Sequence, residues 1–230
     1  MRYVPIVRRL RPVLTQGSAV LEVGANENGF ARFSGVSTVV VDRSFAHVQA
    51  ARATQDVVGV VADACALPFA DDACDVCVSV DTLEHIPEPT RPAALRALVQ
   101  VLKPSGTAVI AFPAGRAAAM AEEEIRQAYR GFTGRPLHWL EEHAEAGLPE
   151  PEAVAEVLRA EAAETHTLTL RTNTPVWLWR WMWRVLMCGW PGRGNAVFQA
   201  LLRLCTPALV QTNWGEAYRT AIWLEPSRRQ

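Results

Sequence analysis

The chain has 230 residues, half of them hydrophobic, and a formal net charge of −1 at pH 7. A chain of this length and apolarity can bury one substantial core, which predicts a single domain over residues 1–230. Its 23 basic and 24 acidic residues give no broad positive field, so binding to nucleic acid is not expected. No stretch reaches the ~18–20 uninterrupted apolar residues of a transmembrane helix.

The N-terminal segment, residues 1–17, is basic and lacks the continuous apolar core of a signal peptide. It is predicted to form a short amphipathic helix. The five cysteines are Cys65, Cys74, Cys77, Cys188 and Cys205. An odd count without a secretory signal favours reduced thiols and a cytoplasmic location. Cys74 and Cys77 lie in a strand-like run, where residues three apart point to opposite faces. We therefore expect two small buried hydrophobic residues there.

Strand-like and helical segments alternate over residues 18–113. The apolar runs predict strands at 18–25, 37–43, 57–64, 74–81 and 107–113. The segments between them are helical in pattern, as the amphipathic stretch 91–103 illustrates. Nearly continuous apolar strands that alternate with helices are typical of a parallel sheet covered on both faces. The predicted fold is therefore α/β, with a doubly wound sheet.

The pattern changes after Pro113, in the C-terminal half of the chain (114–230). Helices are predicted over 117–132 and 149–161, and strands over 166–172 and 218–226. The segment between the last two strands is apolar and rich in tryptophan. It predicts a helical hairpin, residues 176–210, inserted before the last strand.

Polar residues end four successive predicted strands, where ligands bind in doubly wound sheets. These residues are Glu22 and Gly24 after the first strand, Asp42 after the second, Asp63 after the third and Asp81 after the fourth. A glycine lets the backbone turn tightly beside a ligand. An acid about 20 residues beyond such a loop is placed to accept hydrogen bonds from ribose hydroxyls. The pattern predicts a nucleotide-like ligand.

These segments resemble the class I S-adenosylmethionine-dependent methyltransferases, specifically the type 11 small-molecule group. The resemblance rests on VLEVGANENGFARF, VVVDRS, VVADACALPFADDACDVCVSVDTLEHIPEP and LVQVLKPSGTAVIAFP, and it covers about residues 18–113. It implies a Rossmann-like seven-stranded sheet of order 3-2-1-4-5-7-6 and S-adenosyl-L-methionine as the cofactor. The residues that we then expect to bind the cofactor are Glu22, Gly24, Asn26, Asp42, Asp63, Ala64 and Asp81. Among these, Asp42 is expected at the ribose and Asp63–Ala64 at the adenine.

The glycine loop departs from the family's usual E/D-x-G-x-G-x-G pattern. Asn26 and Asn28 replace the later two glycines, and Gly29 comes one residue late. Asparagine tolerates left-handed backbone angles better than other residues that carry a Cβ, so the turn can survive. Either the loop still holds the cofactor in an altered form, which we favour, or the site is degenerate.

The stretch VDTLEHIP follows the fourth strand and supplies the catalytic candidates. Methyl transfer from a sulfonium is an in-line displacement, which depends mainly on alignment and exclusion of water. A base is needed where the acceptor carries a proton, and His85 and Asp81 are the candidates. A hydrogen-bonded structural role for His85 is an equal alternative, and Glu84 is expected to be structural. Phe112 and Pro113 are expected to line the acceptor pocket.

The segment around His138 and His143 resembles a metal motif only superficially. The two histidines are five residues apart, off the helix face that a zinc helix needs, so no metal is expected there. Two interpretations remain for Tyr129, Phe132, His138 and Trp139: a lid over the acceptor, or a helix packed on the sheet edge. We favour the second.

Five of the eight tryptophans lie between positions 177 and 190. A helix that is apolar almost all round is normally buried, so Trp177, Trp181 and Trp183 are predicted to be buried within the monomer. Arg180 and Arg184 form a narrow polar stripe that is expected to face solvent or an anionic group. A homodimer interface and peripheral contact with a membrane surface are the alternatives.

The function predicted from these features is methyl transfer to a small-molecule or lipid-linked acceptor. The alternative is a non-catalytic module that keeps the methyltransferase fold and uses its tryptophan-rich hairpin to bind a partner or a membrane. A nicotinamide-dependent dehydrogenase is disfavoured, because it would need an intact G-x-G-x-x-G loop.

Overall fold

The computed structural model describes residues 2–24, 27–187 and 215–227, and seven strands in these ranges form one sheet. The strands are β1 (Val20–Val23), β2 (Thr38–Asp42), β3 (Val57–Val61), β4 (Cys74–Val80), β5 (Leu102–Pro113), β6 (His166–Pro175) and β7 (Ala217–Pro226). Their order is β3-β2-β1-β4-β5-β7-β6. Strands β1 to β5 pair in parallel, and β7 is antiparallel to both of its neighbours. The predicted fold class and strand order are confirmed.

Helices connect and cover these strands. They are α1 (Tyr3–Leu10), α2 (Ala31–Ser34), α3 (Phe45–Thr54), α4 (Arg91–Val101), α5 (Gly115–Thr133), α6 (His138–Ala146), α7 (Pro151–Ala162) and α8 (Val176–Met187). Several ends follow from local chemistry. Ser44 accepts the His47 N–H at the start of α3, Pro151 opens α7, and Gly134 ends α5 in a left-handed conformation.

Both faces of the sheet are buried at its central strands, as the continuous apolar runs predict, whereas the edge strands β3 and β6 are partly exposed. One face carries Leu21, Val23, Cys77, Ala108, Ile110 and Ile222, and the opposite face carries Val20, Val76, Val78, Val109, Ala111 and Ala221. Helices α4 and α7 cover the first face through Leu95 and Leu158. Helix α1 covers the second through Ile6 and Leu10. The sheet is therefore a rigid platform whose strand ends hold the polar residues.

The two cysteines of β4 correct one expectation. Both thiols are reduced and buried, as predicted, but they lie in the same core cluster rather than on opposite faces. The pairing of β4 with β5 shifts register between Cys74 and Val76, which breaks the alternation of side chains. A hydrogen bond with Cys77 lowers the pKa of the Cys74 thiol.

Helix α8 is the only part of the predicted hairpin whose secondary structure falls within the described residues, because 188–214 lie outside them. Among the helices in the described ranges, none combines the length and apolarity needed to cross a bilayer.

Candidate active site

A cavity of about 1160 Å³ opens at the carboxyl ends of the parallel strands. The residues that line it at these ends are Val23, Gly24, Val41, Asp42, Ala62, Asp63, Ala64, Asp81 and Thr82. Its volume exceeds the range of about 300–1,000 Å³ that is usual for small-molecule pockets. A cofactor and a second molecule can therefore share it. Most of the residues expected to bind a cofactor lie along this one cavity.

The turn after β1 requires glycine. Gly24 has φ +92°, and a Cβ on it would collide with the Thr82 side chain. The Gly24 N–H donates to Val41 O at 2.8 Å, while Thr82 Oγ1 donates to Val23 O at 3.1 Å. The close approach of Thr82 thus locks the turn at the cavity wall.

Glu22 has a different role from the cofactor-binding one predicted for it. Its carboxylate accepts hydrogen bonds from Tyr3 Oη at 2.8 Å and from the Phe30 N–H at 2.9 Å. It is fully buried and does not line the cavity. A Cβ on Gly29 would lie 2.6 Å from Glu22 Oε2, so this glycine leaves room for the carboxylate. Burial raises the pKa of Glu22 to about 7, although the bonds from Tyr3 and Phe30 oppose this.

The glycine loop itself is only partly described. Asn26, a predicted cofactor-binding residue, lies outside the described residues. Asn28 lines the cavity. Because Glu22 accepts the Phe30 N–H, the C-terminal end of the loop is anchored to the core.

Asp42 and Asp63 are held in similar turns at neighbouring strand ends. Asp42 Oδ1 accepts the Ser44 N–H at 2.8 Å, and Asp63 Oδ1 accepts the Cys65 N–H at 2.8 Å. Each bond fixes the carboxylate relative to the backbone two residues further on. Both acids and Ala64 line the cavity, as expected for cofactor-binding residues. Their contacts with a ribose and an adenine remain predictions.

Asp81 lines the cavity but is tied into a buried ion pair. Its carboxylate accepts from Arg219 Nε and Nη2, both at 2.7 Å, and from Arg2 Nη1 at 2.9 Å. Burial alone would raise its pKa, but the charges of Arg219 and Arg2 outweigh this and lower it. A lower pKa makes a carboxylate a weaker proton acceptor, and the catalytic and cofactor-binding roles of Asp81 stay predictions. No sequence pattern linked Asp81 to either arginine.

His85 faces His143 across the other end of the cavity. Their Nε2 atoms are 3.3 Å apart. His85 Nδ1 lies 2.8 Å from Glu142 Oε2, and His143 Nδ1 lies 3.0 Å from Glu122 Oε2. Burial, and then the neighbouring His143, lower the pKa of His85. A neutral imidazole can accept a proton, so a base role for His85 fits this geometry and stays a prediction.

Glu84 is fully buried beside this pair. Among the described residues, neither of its carboxylate oxygens has a hydrogen-bond partner, which is rare for a buried polar group. Its Oε1 lies 4.0 Å from His143 Nε2. Burial and the negative charge of Asp81 raise the pKa of Glu84 well above its usual value.

Arg91, at the start of α4, positions this group and was missed in the sequence. Its Nε donates to Leu83 O at 3.2 Å and to Ile86 O at 2.9 Å, on either side of Glu84 and His85. Its Nη2 donates to Ala146 O at 2.9 Å, at the end of α6. The buried guanidinium thus ties the loop after β4 to the helix that carries His143. An arginine at a helix start gives no signal of burial in a sequence.

Aromatic side chains form the wall of the cavity near the histidines. The wall residues are Trp139 from α6, Trp179, Met182 and Trp183 from α8, and Tyr218 from β7. Trp179 stacks on Tyr218 with ring centroids 4.3 Å apart. Trp183 packs on Trp139 at 5.1 Å. Helix α8 therefore covers this side of the cavity, a position that no sequence pattern specified.

The orientation of α8 corrects the tryptophan prediction. Trp177 and Trp181 are 47% and 44% exposed, so the prediction that they are buried is wrong, and Trp183 is partly buried. The packed face is the one with Trp179 and Trp183, because Trp139 and Tyr218 offer rings to that face. The stripe of Arg180 and Arg184 forms ion pairs with Glu124 of α5, in agreement with the expected anionic neighbour.

Of the other residues predicted near the acceptor, some line the cavity and others do not. Phe112 and Pro113 do not line the cavity, because this stretch of β5 is buried in the sheet, with Phe112 in the core. Among the lid candidates, only Trp139 lines the cavity; Tyr129 is partly buried, while Phe132 and His138 are exposed. The interpretation of a helix packed on the sheet edge fits these residues better than a lid.

Comparison with known proteins agrees with this architecture. Residues 21–110 match the family model described as a methyltransferase domain, and this range spans the strand ends that line the cavity. Within this range the chain is similar to a methyltransferase domain. An uncharacterized methyltransferase of Mycolicibacterium vanbaalenii is 35% identical to it over 102 residues. That match spans 42% of the chain and only 39% of the relative.

Solved structures share the fold of the methyltransferase domain. An S-adenosylmethionine-dependent methyltransferase of Thermotoga maritima superimposes with a TM-score of 0.60 at 14% identity, covering 97% of the chain and 88% of that protein. A Haloferax volcanii methyltransferase structure, determined with the Trm112 activator, gives a TM-score of 0.53 at 20% identity. This match covers 76% of the chain and 72% of the other. At such identities the likeness concerns the fold.

Proposed function

We propose that the methyltransferase domain transfers a methyl group from S-adenosyl-L-methionine to a small-molecule or lipid-linked acceptor. The observation that carries this proposal is the division of one cavity into two chemically different ends. One end gathers Gly24, Asp42 and Asp63 at three strand ends. The other end holds His85 within an aromatic wall. The first suits a nucleoside cofactor and the second suits an acceptor.

The cofactor end offers the groups that a nucleoside needs. The carboxylate of Asp42 is fixed by the Ser44 amide, so it can accept from two adjacent ribose hydroxyls at little further entropic cost. The Asp63 carboxylate is positioned to accept from an exocyclic amino group. The tight turn at Gly24 lets the backbone approach the methionine part of the cofactor. Neither Asp42 nor Asp63 is assigned to that part.

The acceptor end supplies alignment and exclusion of water. An electron pair on the acceptor attacks the methyl carbon, the carbon–sulfur bond breaks, and sulfur keeps the bonding pair. The wall formed by Trp139, Trp179 and Trp183 can hold an apolar acceptor in line with the methyl group. Where the acceptor loses a proton, His85 is the predicted recipient. The aromatic wall favours an acceptor with an apolar body, whether free or lipid-linked.

Asp42→Ala is expected to weaken binding of the demethylated cofactor about 10- to 100-fold, since hydrogen bonds to a charged group contribute ~1.5–3 kcal/mol. Asp56→Ala is the matched control, because Asp56 is exposed and lies outside the cavity. Affinity is measured by calorimetry, and thermal unfolding checks that both variants are folded. Equal affinity of the two folded variants would show that the ribose is bound elsewhere.

A further inference from the structure

We propose that Glu84, His85 and His143 form a binding site for one divalent transition-metal ion at the acceptor end of the cavity. One ligand atom from each residue lies within 4.8 Å of the others. Two imidazoles and a carboxylate form a ligand set that suits zinc and Fe(II). The role of the ion in catalysis rests on the proposed function. The binding of the ion does not depend on that function.

The facing histidines give the first argument. Each Nδ1 lies against a carboxylate, which accepts hydrogen bonds, so in the neutral ring the proton sits on Nδ1. The two Nε2 atoms, 3.3 Å apart, then direct lone pairs at each other. Two lone pairs at this distance repel unless a proton or a metal ion lies between them. Two nitrogens bound to a tetrahedral zinc ion at ~2.0–2.1 Å are themselves ~3.3–3.4 Å apart.

The carboxylates behind the histidines give the second argument. A histidine that binds a metal usually donates its other N–H to a carboxylate, which fixes the ring and raises its basicity. Glu142 occupies this position for His85, and Glu122 occupies it for His143. Glu122 is in turn bonded by Tyr218 Oη at 2.5 Å. Both rings are therefore oriented toward the same point.

The third argument is the buried carboxylate of Glu84. Both of its oxygens lack a hydrogen-bond partner in the part of the chain that the structure describes, and the side chain has no exposed surface. A divalent cation would satisfy it. Its Oε1 is 4.0 Å from His143 Nε2, so it would have to close by roughly 0.7 Å to reach tetrahedral ligand spacing.

Three protein ligands leave a coordination position open, as in catalytic zinc sites. An acceptor oxygen or nitrogen bound there would lose its proton more readily, because the cation stabilises the resulting anion. The site faces the cavity through His85, whose side chain is 32% exposed, so an acceptor can reach it. With His85 bound to the ion, the released proton would pass to solvent water, and His85 would not act as the base.

The site is tested by titrating the chelator-treated full chain with Zn²⁺ and with Co²⁺, in the absence of any methyl donor. The expected result is one tightly bound ion per chain, with a cobalt spectrum typical of four or five nitrogen and oxygen ligands. His143→Ala and Glu84→Gln are expected to weaken zinc binding at least 100-fold. His138→Ala is the matched control, because His138 lies on the same helix but is exposed and outside the cavity.

Two further variants protect the test against misfolding and thiol binding. His85→Gln changes a side chain that is 32% exposed, so it is expected to fold, and it should also lose the ion. Glu122→Gln should weaken binding about 10- to 100-fold without removing a ligand. Zinc affinity that is absent below millimolar concentration, unchanged in His143→Ala and His85→Gln, or accompanied by cobalt–thiolate absorption would overturn the proposal. Binding of the ion without binding of the demethylated cofactor would overturn only the proposed function.

Discussion

Asp81→Asn is expected to lower the free energy of unfolding by about 3–5 kcal/mol, the usual cost of breaking a buried ion pair from one side. Arg219 is only 8% exposed, and without Asp81 its guanidinium loses the carboxylate that accepts two of its hydrogen bonds. Asparagine is the right replacement, because Asp81 has φ 53° and asparagine tolerates such angles. The substitution therefore removes the charge and leaves the backbone conformation accessible.

Urea denaturation at neutral pH measures this effect, with Asp75→Asn as the matched control. Asp75 lies on the same strand and pairs with Lys103, but both side chains are 36% exposed. Exposed pairs contribute about 0–1 kcal/mol, so the control should change little. Equal losses in the two variants would show that Arg219 regains water when its partner is lost.

The ion pair of Asp81 with Arg219 and Arg2 also determines how the free energy of unfolding changes at acid pH. Arg219 and Arg2 hold the pKa of Asp81 below its usual value in the folded state. Its contribution is therefore present above the unfolded pKa, near 4, and is lost as the pH falls through the folded pKa. This acid dependence should be missing from Asp81→Asn.

Glu22 is expected to have the opposite pH dependence, with stability lost as the pH rises. The substitution Glu22→Gln should remove this loss. In the folded state burial raises the pKa of Glu22 to about 7, against 4.5 for an ordinary glutamate. Its contribution to stability is thus fully present below about pH 4.5 and is lost as the pH rises to about 7. The loss is roughly 3 kcal/mol if the whole difference in pKa is expressed. Tyr3 and Arg2, which face the carboxylate, favour its ionised form and limit the effect.

A glutamine can accept the same bonds from Tyr3 and Phe30 but has no proton to lose. The free energy of unfolding of Glu22→Gln, relative to the native chain, should therefore rise between pH 4.5 and pH 8. Denaturation curves at several pH values measure it. Glu27→Gln, in the same loop but exposed, should follow the native chain throughout. A Glu22→Gln profile parallel to that of the native chain would mean that Glu22 is ionised in the fold.

The parts of the site that could be predicted are those fixed by the sheet. Continuous apolar runs mark buried parallel strands, and the carboxyl ends of such strands meet along one edge. The place of Asp42 and Asp63 at the cavity could therefore be predicted from their positions in the sequence. Resemblance to a known family then supplied the strand order, which no local pattern contains.

The parts that could not be predicted depend on contacts between distant elements. His85 and His143 lie on different elements, so the search for a metal motif within one helix compared His143 with the wrong histidine. Helix α8 is apolar on nearly all sides, and its pattern cannot say which face packs. Glu22 had the expected position for a cofactor ligand, but Tyr3 and the Phe30 amide, which bind it, gave no signal in sequence.

Methyl transfer by this domain is tested most directly by calorimetric titration of the purified chain with S-adenosyl-L-methionine and with its demethylated product. We expect saturable binding of both ligands, one per chain. Absence of binding to both at millimolar concentration would contradict the proposed function.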